Sequence, residues 1–96
     1  MAKTQKKYKF TKETINHFGH TLHRICATRD FGDVKKGELG GFVESKANLS
    51  HEDNCWVYDN ARVYGNAKVS GDAKVFGNAR VYSDAWVYGN ARVFGN

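Results

Sequence analysis

Proline is absent from the 96 residues, methionine occurs once, cysteine twice and leucine three times. Two cysteines, Cys26 and Cys55, at irregular spacing are too few for a disulfide scaffold or a zinc motif, and each reads as a small buried filler. No apolar run approaches the length of a membrane span, and no signal-peptide pattern opens the chain, so no membrane association is expected and residence in the cytoplasm is the expectation. Scarce leucine and missing proline, set against abundant Val, Ala, Tyr and Phe and ten glycines, favour strands joined by glycine turns over helices. A chain of this size buries a limited core and often relies on self-association.

Charge is unevenly spread. Residues 1–40 carry nine Lys/Arg against four Asp/Glu, whereas residues 41–96 carry six of each. The basic excess sits in Lys3, Lys6, Lys7, Lys9 and Lys12, which read as a solvated terminus or one that touches nucleic acid or an acidic protein.

What is present is a hexapeptide written many times over. Val57, Val63, Val69, Val75, Val81, Val87 and Val93 recur every six residues. A small residue precedes each by two: Cys55, Ala61, Ala67, Ala73, Ala79, Ala85 and Ala91. Asp-Asn, Gly-Asn, Gly-Asp or Ser-Asp follows most of them and tolerates positive φ, so the chain bends after every unit. Within a unit the small residue and the valine share one face, and the residues flanking the valine share the other. Six residues leave too little strand for a hairpin stack, and every unit has the same polarity. The chain therefore coils, and equivalent units stack in parallel.

This pattern resembles the hexapeptide repeat of left-handed β-helices. The resemblance implies three hexapeptides per triangular coil, so that residues eighteen apart stack. Val43 and Leu49 extend the inward series backwards, with a two-residue insertion in "SHEDN". The expected stacks are Val43/Val63/Val81, Leu49/Val69/Val87 and Val57/Val75/Val93. The expected fold is all-β: a short left-handed parallel β-helix of about three coils over 41–96, behind a basic tail and β-rich cap over 1–40. In that cap "KYKFT" and "HTLHRICAT" read as strands around the turn "NHFG". Nothing resembling a cap follows Val93, and an uncovered end of parallel strands invites pairing. Val93 and Phe94 are therefore expected to mediate homo-oligomerisation, a dimer being favoured over a trimer.

Outward positions alternate basic and aromatic residues. Trp56, Arg62, Tyr64, Lys68, Lys74, Arg80, Tyr82, Trp86, Tyr88 and Arg92 are the expected partner-binding set. Aromatic ladders also stabilise parallel sheets by themselves. Direct nucleic-acid contact fits partly, but the helical part is neutral, so a protein partner is the expectation. His51 in the insertion, beside Glu52 and Asp53, has the composition of a general base, and the family resemblance admits acyl transfer. The chain lacks the long loops and extra coils that such enzymes carry, so no enzymatic activity, catalytic residue, metal or cofactor is expected. His17, His20 and His23 are expected to scatter along a turn and strand. The segments "FGDVKKGELGGFVES" and "NCWVYDNARVYGNA" also resemble small β-helix proteins of phages and prophages. That resemblance implies an inhibitor of a host defence complex, of the CRISPR type or another nuclease, acting in the host cytoplasm. A self-assembling structural solenoid is one alternative, and a small trimeric hexapeptide-repeat enzyme of the acyltransferase type using His51 is the other.

Overall fold

A computed structural model describes residues 7–17, 19–51 and 53–95. Two antiparallel strands open the chain, β1 (Tyr8–His17) and β2 (His20–Ala27), followed by β3 (Leu39–Val43). A 3-10 turn at Lys46–Asn48 leads into seven short strands: β4 (Trp56–Val57), β5 (Arg62–Val63), β6 (Lys68–Val69), β7 (Lys74–Gly77), β8 (Arg80–Val81), β9 (Trp86–Val87) and β10 (Arg92–Gly95). No α-helix occurs among the described residues, and none is long and apolar enough to cross a membrane.

The three sides of the solenoid are three sheets. One runs β1-β2-β3-β5-β8, the second β4-β7-β10 and the third β6-β9. Val43 pairs with Val63 and Val63 with Val81; Val57 pairs with Val75 and Val75 with Val93; Leu49 bridges Val69, which pairs with Val87. The three stacks read from the sequence are the ones that form, and the chain is a short parallel β-helix. Successive coils are joined by bonds such as Arg62 N–H to the Ala79 carbonyl at 2.9 Å and Lys74 N–H to that of Ala91 at 3.0 Å. The bend after each valine from Val57 to Val87 uses one left-handed residue: Asp59, Gly65, Gly71, Gly77, Ser83 and Gly89 all have φ between 58° and 68°. Asp59 bears that conformation while its carboxylate accepts the Gly77 N–H at 3.1 Å.

The core is a column of valines and small residues, fully buried in the first two coils. The N-terminal segment closes the first coil. Strand β2 lies antiparallel on β3, burying Leu22, Phe42 and Tyr64 together. Tyr8 donates its hydroxyl to the Leu49 carbonyl at 2.6 Å, and burial pushes its pKa up. Phe31 meets the Trp56 indole edge-on, ring centres 5.2 Å apart. This cap departs from the expected one in two respects. Strand β1 runs well past "KYKFT" because its register with β2 continues to His17 opposite His20. Lys7 is fully buried, not solvated. Its ammonium donates to the Asp53 carbonyl at 3.1 Å and the Cys55 sulfur at 3.3 Å and lies 4.8 Å from the centre of the Phe31 ring. Desolvation lowers the Lys7 pKa and raises that of Cys55. Lys3 and Lys6 lie outside the described residues.

Candidate functional site

The outward positions follow one rule in sequence and divide into two groups in space. Trp56 is fully buried and Tyr64 nearly so, because the N-terminal segment packs over both. Neither is displayed to a partner, which corrects the expectation for both. Arg62 and Lys74 are half-buried, and Lys68, Arg80 and Arg92 are exposed. Tyr82 (52% exposed), Trp86 (66%), Tyr88 (64%) and Phe94 (71%) gather on the last coil. There the inward column opens too: Ala85 and Ala91 are exposed and Val93 is half-buried. The aromatic ladders form as read. Tyr58, Phe76 and Phe94 stack with centres 4.9 Å apart, and Tyr64 stacks on Tyr82 at 5.5 Å. Such pairs contribute about 0.5–1.5 kcal/mol each beyond burial when both rings are covered.

His51 is held as a packing residue. Its ring stacks on Tyr8 at 4.1 Å, and its Nδ1 accepts the Lys7 N–H at 3.1 Å. With Lys9, Phe10 and Lys46 it borders a cavity of about 300 Å³. Its neighbour Glu52 lies outside the described residues. A larger concavity, about 470 Å³, is lined by Asn66, Lys68, Asp84 and Trp86. No cluster of three His, Cys, Asp or Glu side chains suited to a metal occurs among the described residues.

The histidines that sequence reasoning expected to scatter are partly brought together. His17 and His20 flank the β1–β2 turn as register partners, and both rings lie 5.1 Å from that of Tyr64. His23 points elsewhere and stacks on Phe10. The His20 Nδ1 sits 2.9 Å from a Glu44 carboxylate oxygen, and the other oxygen of Glu44 accepts the Gly65 N–H at 2.8 Å. Those two hydrogen bonds lower the Glu44 pKa, so the carboxylate is fixed and ionised at neutral pH. Beside it, the Arg62 guanidinium meets the His17 Nδ1 at 3.0 Å. Desolvation, and then the charges of Arg62, Arg80 and His20, hold the His17 pKa down. The sequence signal was "HFGH": a two-residue turn places its flanking residues opposite each other on one face.

The YdcK beta solenoid repeat matches residues 57–71 and 73–89. The coils are β-solenoid repeats of the hexapeptide kind. A 37-residue stretch, 38% of this chain, is 43% identical to the uncharacterized acetyltransferase YdcK of Escherichia coli (strain K12). It spans 11% of that relative's length. The likeness therefore reaches one stretch of a much longer protein. Its name nonetheless overturns the expectation that this chain has no enzymatic role.

Proposed function

We propose that the chain is a β-solenoid contact module that associates with a second copy through its last coil. One observation carries this reading: the large exposed aromatic residues of the solenoid, Tyr82, Trp86, Tyr88 and Phe94, all lie on that coil. Tyr64, on which Tyr82 stacks, is instead covered by the N-terminal segment. Among the described residues β8, β9 and β10 also have no strand on their outer side. A single coil of matching triangular section pairs all three edges at once, and this chain carries such a coil. Because the first coil is covered, head-to-tail growth is blocked and the contact closes as a two-fold dimer. A host defence complex as the partner rests on the phage resemblance alone, and the geometry supports a second copy. Light scattering on the eluting protein is expected to give the dimer mass, and Phe94→Glu to give the monomer with an unchanged circular dichroism spectrum. A wild-type monomer at every concentration would remove the reading.

A second reading, acetyl transfer, is favoured by the His20–Glu44 pair together with the name of the relative. A carboxylate locked by a backbone N–H orients the imidazole through Nδ1, which leaves Nε2 to take a proton from an acceptor nucleophile. Thiol release from an acetyl thioester should then disappear in His20→Gln and persist in His51→Gln. No release by the wild-type protein above background would end this reading.

A further inference from the structure

Basic residues stand in register on two sides of the solenoid, Lys74 beside Arg92 and Arg62 beside Arg80, and the remaining side carries Lys68 beside Trp86. Lys74 lies 3.9 Å from the Asp33 carboxylate. The Lys68 ammonium lies 5.7 Å from the centre of the Trp86 ring. Arg62 and Arg80 are register partners on parallel strands about 4.8 Å apart. Neither guanidinium has a carboxylate partner among the described residues. Instead Arg62 faces the His17 imidazole, and the Arg62 Nε–H is buried with no acceptor. Glu44, the carboxylate on the preceding strand's end, is already taken by His20 and the Gly65 N–H.

Two like charges side by side, one with an unanswered buried donor, form an arrangement that a bound anion relieves. Guanidinium forks match the oxygens of a tetrahedral oxyanion better than a point charge does. We infer that Arg62 and Arg80, with His17 behind them, form a binding site for a phosphate group. This deepens the contact reading by giving one side of the solenoid a ligand chemistry. It fails separately, because association is read as a mass and this site as a titration.

Calorimetric titration of the full chain with inorganic phosphate, adenosine monophosphate and a short oligothymidylate tests the site. Saturable binding of at least one probe is expected, weakened at least about tenfold by Arg80→Gln and unchanged by Lys68→Gln. Arg80 is exposed, so its replacement leaves the core intact. Equal affinity for all three probes assigns the site to phosphate alone, a gain with the monophosphate adds a base contact beside it, and a larger gain with the oligothymidylate assigns it to a strand. Failure of all three probes to bind overturns the inference. So does an equal loss from Lys68→Gln and Arg80→Gln, which would mean diffuse charge attraction instead of a site.

Discussion

Replacing Trp56 by alanine is expected to lower the unfolding free energy by about 3–5 kcal/mol. The indole is fully buried where cap and solenoid meet, with Phe31 edge-on at 5.2 Å and Tyr8 at 6.3 Å. Its removal leaves a void walled by the first coil on one side and by Tyr8 and Phe31 of the cap on the other. The coil cannot collapse inward, because its valine column is already packed. Trp56→Phe should cost much less than the alanine variant. The ring stays, and the lost indole N–H has no hydrogen-bond partner among the described residues. Urea unfolding of the two variants checks both numbers. Equal losses would mean that the ring does not join cap to coil.

Gly40→Ala is expected to be comparably severe, about 3 kcal/mol or more, for the opposite reason. A Cβ at Gly40 would stand 2.7 Å from the Val57 carbonyl oxygen, from Ile25 and from Trp56. The carbonyl belongs to the coil backbone and cannot move alone. Thus β3, which joins the cap sheet to the solenoid, would have to lift from both neighbours. Gly37→Ala is the matched control. Its Cβ meets nothing, and only the φ of 89° opposes it, so a loss of about 1 kcal/mol is expected. Thermal melts of the pair separate crowding from backbone strain. A Gly40→Ala melt no lower than that of Gly37→Ala would show that β3 is not clamped.

The solenoid was legible because its sequence repeats the same local decision. Ala and Val two apart fix the inward face, and the residue two after each valine from Val57 to Val87 takes a left-handed conformation whether it is Gly, Asp59 or Ser83. Register then follows by counting. Less of the candidate surface was legible. The outward code is the same in every coil, so nothing in it distinguishes Trp56 and Tyr64 from Trp86 and Tyr82. Their different exposure is decided by where an irregular N-terminal segment comes to rest. Lys7 was misread for a related reason. Charge counting sends a lysine to water, whereas here a backbone carbonyl, a thiol and a ring face together receive it. Catalytic interest fell on His51 because of its local neighbours, while the pairing of His20 with Glu44 spans 24 residues and depends on the hairpin docking against β3.

The central claim is a solenoid covered at its first coil by its own chain and at its last coil by a second copy. Hydrogen–deuterium exchange across a dilution series tests it most directly. Amides of residues 80–95 should exchange slowly in concentrated protein and faster on dilution, while those of residues 39–57 stay protected throughout. Exchange across residues 80–95 that is fast and independent of concentration would contradict the account.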